Sequence, residues 1–412
     1  MERFRILINC MYNIWNKWDP LRTVMLGECY SPEFFRDIKN INVKSALQRI
    51  ANETQEDLEG FKKVLKDFGC DVIRPLIDKN DSIMNYTDHD GKLTLIPRSP
   101  LQPRDTQLVI GNDLFYTQDF DHPGIKQSLD NYNKNFKNIY SPLNEASFNG
   151  HKGEDAPDWP SYTDYVEKFC NEQPLSDKPH IHNEIFDICK KEATLGFAIQ
   201  APSITVVGRD IYIDVNTEVD SVLVNYYFKE FAKMFPNFKM NVLTIGGHND
   251  GCFHTIKSGA ILSLKEIQTY EDTFPDWDIC YLSDQSWSKV KSFTELKKQN
   301  QGKWWVPGEE ENDEFTNFVE TWLQDWVGYV EETVFDVNVL VLDEHHVCVS
   351  QPDNEIVNTF LKKHNMEPVY IPWRHRYFWD GGLHCITLDL VREGTQQDYF
   401  PNRQNPIIDK GF

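Results

Sequence analysis

The order strand, tight turn, strand, helix, strand recurs along this chain, and the recurrence limits its fold more than any other feature. One copy runs from Ile204–Val207 through the turn Gly208-Arg209-Asp210 to a strand over 211–215, then a helix over 222–235 and a strand over 240–245. A second passes through 256–264. A third comprises strands at 337–342 and 347–349, a helix over 354–364 and a strand over 368–371. The N-terminal third carries the same ingredients. Leu21–Leu26 and Asp71–Ile73 read as strands, and Leu58, Phe61, Val64, Leu65 and Phe68 mark a helix over 52–68 that Gly69 ends. Gln107–Ile110 and 114–116 flank Gly111-Asn112-Asp113, a turn between two strands. Units this small cannot bury a core alone. They are expected to pack as a pseudo-symmetric α/β array of ββαβ modules whose strand ends face a common centre. The repeat pattern alone leaves the number of modules open.

Three stretches break the pattern within what reads as one domain over 1–412. Residues 1–10 form an extension with no signal-peptide cleavage pattern. Residues 141–180 are rich in Pro, Asn, Asp and Gly and read as a long loop. Residues 303–329 form an acidic insertion whose Trp304, Trp305, Trp322 and Trp326 are expected to pack rather than bind a ligand. Charge removes two function classes. With Asp+Glu at 64 against Lys+Arg at 42, the formal charge of -22 would repel a phosphate backbone or an anionic membrane. No run approaches the roughly 20 apolar residues of a spanning helix. Nine scattered cysteines without a CxxC pair point to free thiols in a reducing, cytoplasmic setting.

Polar residues cluster at strand ends beside glycines, where a rigid scaffold can hold side chains over a pocket. The clusters are Pro103-Arg104-Asp105, Ile199-Gln200, Gly246-Gly247-His248-Asn249-Asp250 and Asp380-Gly381-Gly382-Leu383-His384-Cys385. Cys385 follows a Gly-Gly turn and opens a strand over 385–390, so it is the candidate nucleophile; a buried strand cysteine is the alternative. His248 and Asp250 would share a face if their segment is a strand. A thiol needs a nearby cation or proton acceptor to ionise at neutral pH, and histidine is the usual partner. Asp105 and Asp250 would hold a positive group. His345-His346 and His180-x-His182 lack familiar zinc spacing, and no metal site is expected. No GxGxxG, Walker or GxSxG pattern occurs.

In this order, the clusters resemble the amidinotransferase family. The resemblance rests on Trp18-Asp19-Pro20-Leu21, Val24-Met25-Leu26-Gly27, Pro103-Arg104-Asp105 with Val109-Ile110-Gly111-Asn112, Gly208-Arg209-Asp210-Ile211 and His248-Asn249-Asp250. It continues in 339–344 and, most specifically, in Gly381-Gly382-Leu383-His384-Cys385-Ile386-Thr387-Leu388-Asp389. It implies a five-module α/β propeller in which Cys385 is the nucleophile, His248 the general acid and base, and Asp105 and Asp250 guanidinium-binding carboxylates, with Arg104 among the substrate-binding residues. It implies no cofactor and no metal. The partners would be a small-molecule guanidino donor such as arginine and an amine acceptor such as glycine; a homodimer is compatible with it. Three positions depart from the family. Gln200 stands where a further carboxylate is expected, and the family's carboxylate-gripping arginine is replaced near Ile267, with Lys265 the nearest cation. Asp336 replaces a serine and would favour an amine over a carboxylate. The alternatives are a guanidino hydrolase or deiminase, or a guanidine binder impaired by Gln200.

Overall fold

The computed structural model describes residues 12–94, 96–116, 122–133, 141–142, 201–214, 235–243, 248–264, 270–282, 306–323, 326 and 336–403. Strands β1 (Leu21–Leu26), β2 (Asp71–Ile73), β3 (Gln107–Ile110), β4 (Asp113–Tyr116) and β5 (Ser141–Pro142) belong to its first third. β6 (Ile204–Val207), β7 (Asp210–Asp214), β8 (Lys239–Leu243), β9 (Phe253–Lys257), β10 (Ala260–Ser263) and β11 (Asp278–Tyr281) follow. β12 (Leu340–Asp343), β13 (His346–Val349), β14 (Glu367–Tyr370) and β15 (Thr387–Arg392) complete the described set. They form five three-stranded sheets: β3-β4-β5, β6-β7-β8, β9-β10-β11, β12-β13-β14 and β15-β1-β2. In each, the first two strands pair antiparallel and the third joins the second in parallel. A parallel partner needs a crossover, which is why a helical stretch precedes the third strand of a module.

The fifth sheet takes its first strand from the C-terminal end of the chain and its other two from the N-terminal end. β15 runs antiparallel to β1 from Leu21 opposite Arg392 to Leu26 opposite Thr387. Adjacent sheets touch in chain order, through β15 with β3, Ala201–Ser203 with β3, Asn249–Cys252 with β6, Glu355–Lys363 with β11, and β12 with β1. The contacts return to their start. The expected pseudo-five-fold α/β fold of ββαβ modules is the one observed. Gly111 (φ 61°) and Gly208 (φ 60°) sit at two of the hairpin turns in the left-handed region that a side chain disfavours. β6 and β7 are buried along their whole length, consistent with strands covered on both faces.

The first helix is Ile41–Asp67, not 52–68. The Asn40 side chain caps it, accepting from the amides of Asn42 at 3.0 Å and Val43 at 3.3 Å. Val43, Ala46, Leu47 and Ile50 extend the buried face upstream of Leu58, Phe61 and Leu65. Each of these side chains larger than alanine contributes about 1.5–3 kcal/mol by leaving water. Within the acidic insertion, helix Asp313–Trp322 packs on this first helix, and Asn42 Nδ2 donates to Glu314 at 2.6 Å. Trp326 is buried against Tyr30 and Trp379 and donates its indole N–H to the Ile96 carbonyl at 2.9 Å. Trp304 and Trp305, residues 1–10 and, except for Phe235, the helix expected over 222–235 lie outside the described residues. So does the loop expected over 141–180, except that Ser141–Pro142 form β5. Among the described residues, no helix is long and apolar enough to cross a membrane.

Candidate active site

Cys385 lies in the turn over 383–386, two residues before β15, so the strand begins at Thr387 rather than at the cysteine. The turn follows the short helix Arg376–Trp379, whose cap Asp380 adopts a left-handed conformation at φ 48°. Long-range hydrogen bonds hold it. Gln102 Nε2 donates to the carbonyls of Trp379 at 3.0 Å and Asp380 at 2.8 Å, and Trp373 Nε1 donates to the Gly381 carbonyl at 2.8 Å. Close approach explains the two glycines. A Cβ on Gly381 would strike the Gln102 side chain, and one on Gly382 would lie 2.5 Å from Asn338 Oδ1. Asn338 Oδ1 accepts from the amides of His384 at 2.9 Å and Cys385 at 3.1 Å, while its Nδ2 donates to Cys385 Sγ at 3.1 Å.

Asp250 comes to the same place from the segment just before β9. His248 and Asp250 are not in a strand. His248 precedes the single-turn helix Asn249–Cys252 as its N-cap residue, and Asp250 is in that helix's first turn. Asp250 Oδ2 is 3.8 Å from Cys385 Sγ and 2.6 Å from His384 Nδ1. A carboxylate can only accept, so the ring proton of His384 is on Nδ1. Burial, followed by the charges of Arg104 and Lys17, holds His384 well below the ordinary histidine value and therefore neutral. His384 stands within the Gly-Gly-Leu-His-Cys run. Its only sequence signal is adjacency to Cys385.

Burial also pushes the Cys385 thiol well above its ordinary value, and the carboxylates of Asp250 and Asp105 add to this; hydrogen bonds from Gly382 and Asn338 oppose it. Asp105 is thus placed within electrostatic reach of the sulfur, half-buried with Arg98 at 3.8 Å. Arg104 is close by but otherwise committed. Its Nε donates to the carbonyls of His384 at 2.9 Å and Thr387 at 2.8 Å, and its Nη2 to Asp389 Oδ1 at 2.9 Å, so it supports the cysteine turn from beneath. Asp336 is likewise paired, with Arg376 at 3.3 Å and with Asn354 Nδ2 donating at 2.7 Å. Gln200, Lys265 and Ile267 lie outside the described residues. Behind the turn is a cavity whose lining includes Lys17, Arg104, Asp250, His254, His384 and Asp389. Sequence reasoning passed over Lys17, His254 and Asn338, because nothing local to them points to the cysteine.

No family model matches the chain. The mitochondrial glycine amidinotransferase of Xenopus laevis is 24% identical over 421 residues, covering 95% of this chain and 85% of the relative. The L-arginine:L-lysine amidinotransferase of Pseudomonas savastanoi pv. phaseolicola is 21% identical over 419 residues, covering 95% and 96%. The chain resembles the amidinotransferases. Among solved structures, SxtG, an amidinotransferase of Microseira wollei in the saxitoxin biosynthetic pathway, superposes with a TM-score of 0.57 at 18% identity, covering 95% of this chain and all of the other. The inosamine-phosphate amidinotransferase StrB1 of Streptomyces griseus superposes with a TM-score of 0.55 at 16% identity, covering 95% and 99%. These likenesses give the chain the amidinotransferase fold.

Proposed function

We propose that this protein transfers an amidino group from an arginine-like donor to a primary amine through a covalent intermediate on Cys385. The observation that carries the reading is the convergence of Cys385 Sγ and the Asp250 carboxylate, 3.8 Å apart, in a buried turn. A cation entering there donates paired, charge-assisted hydrogen bonds to Asp250 and Asp105. It also neutralises the two carboxylates that raise the thiol, so the bound guanidinium favours the thiolate that will attack it.

Cys385 gives its proton to His248, Sγ bonds to the central guanidinium carbon, and the C–N bond to the donor amine breaks. The electron pair goes to that nitrogen, which takes the same proton from His248. An acceptor amine, deprotonated by His248, attacks the amidino-cysteine and the thiolate leaves. Asp336 acts on acceptor choice through its pair with Arg376 rather than as a lone carboxylate, and Arg104 acts by holding the cysteine turn. Gln200 is assigned to the donor guanidinium as a neutral acceptor. Cys29, Cys70, Cys348 and Cys385 are buried free thiols, which supports a reducing compartment.

The test is mass spectrometry of products from arginine with and without amines, glycine and lysine included, beside Cys385→Ala. Ornithine plus an amidinated amine, absent from the variant, is the expected result. Citrulline formed without any amine, or urea, would replace transfer by hydrolysis.

A further inference from the structure

We infer that Asn338 is a catalytic residue of this site: its side-chain amide donates to Cys385 Sγ and stabilises the thiolate that attacks the donor. The attacking step rests on the amidino-transfer reading; the stabilised thiolate does not. The direction of the hydrogen bond is determined by the other end of the amide. Asn338 Oδ1 accepts from two backbone N–H groups, those of His384 at 2.9 Å and Cys385 at 3.1 Å. The remaining atom must be the NH2, and its two hydrogens reach Cys385 Sγ at 3.1 Å and the Asp250 carbonyl at 3.2 Å.

Asn338 is 2% exposed, so water cannot take over either role. A donor to an ionised acceptor in a dry setting is worth about twice a neutral hydrogen bond. Burial and two carboxylates work against the thiolate, while Asn338 and the Gly382 backbone are the described groups that favour it. Gly382 is needed for the same contact, because a Cβ there would lie 2.5 Å from Asn338 Oδ1 and 2.6 Å from its Cβ. One carboxamide thus fixes the turn's backbone, ties it to the Asp250 segment and presents a donor to sulfur. In the transfer reaction the sulfur loses its proton, bonds to carbon and is later expelled with its electron pair. A donor matched to the anion helps its formation and its departure.

The test is the pH profile of Cys385 alkylation by iodoacetamide, followed by peptide mass, in the full chain and in Asn338→Asp and Gly382→Ala. Aspartate keeps an oxygen for the two backbone amides but cannot donate to sulfur. Alanine at 382 displaces the carboxamide without adding charge, and it carries the test alone should Asn338→Asp not fold. The expected result in both is alkylation about tenfold slower at neutral pH, with the midpoint about one pH unit higher. Rates within about twofold of the parent in folded variants would overturn the inference. Product formation is measured alongside. A parent that makes no amidinated amine yet shows the Asn338-dependent profile refutes transfer and keeps the donor; normal product with an unmoved profile does the reverse.

Discussion

Two regions of this molecule bury a thiol in different surroundings. Under helix Ile41–Asp67, the Cys29 and Cys70 thiols donate to the carbonyls of Ala51 at 3.7 Å and Leu21 at 3.3 Å. Burial pushes Cys29 well above its ordinary value and Cys70 up to about 11. At the centre, Cys385 is also raised by burial, but in addition by Asp250 and Asp105, and its sulfur receives a hydrogen bond from Asn338. The difference lies in what can be reversed. Aliphatic burial persists whatever binds, whereas carboxylates are neutralised by an arriving cation. On the proposed reading, a buried thiol serves as a nucleophile where the groups that suppress it also bind the substrate.

The largest effect that can break this contrast is on turnover. Cys385→Ala should lower product formation at least about a thousandfold, while Cys70→Ala should leave it within about twofold, both read by product mass spectrometry. Equal losses would remove the distinction.

Next is the ion network under the site. Burial alone would raise Asp389, but Arg392 Nε at 2.8 Å and Arg104 Nη2 at 2.9 Å override it and hold the carboxyl well below the usual range. Asp389→Asn leaves two buried guanidiniums without their charge partner and should cost about 3–5 kcal/mol in denaturant unfolding. Because the folded value is depressed, this stabilisation is fully present above the ordinary carboxylate value of about 4 and is lost as pH falls below it.

Lys17 sharpens the contrast through pH. Burial, with Arg104 next in effect, lowers its ammonium from 10.5 to about 7. Between those values the unfolded chain binds the extra proton, so this group makes stability rise with pH. Lys17→Met should therefore stabilise by about 1–2 kcal/mol at pH 7, with the gain fading as pH approaches 10, in unfolding curves taken across that range. The smallest effect is on the aliphatic side, where Asn40→Ala should cost about 1 kcal/mol at every pH from 6 to 9.

Much of this architecture is legible in the sequence. The repeated element order, the hairpin glycines and the Gly-Gly-Leu-His-Cys run all depend on interactions between near neighbours, where side-chain period and backbone sterics leave few choices. The start of the first helix was missed because Asn40 is a cap read only together with Val43, Ala46 and Leu47 beyond it. The helical setting of His248 and Asp250 is not legible because three residues are too few to tell a period of 2 from one of 3.6.

Pairing across the chain was not legible. Arg104 and Asp336 look like candidate ligands in their own segments, and the charges that occupy them, Asp389 and Arg376, stand 285 and 40 residues away. Asn338 reaches Cys385 across 47 residues and Asp250 does so across 135. By itself the sequence determined which elements form and which residue types stand at their ends. The tertiary structure alone decided which polar groups meet. Closing β15 onto β1 brings strands from opposite ends of the sequence together, and burial then favours pairing among the polar groups gathered at the centre.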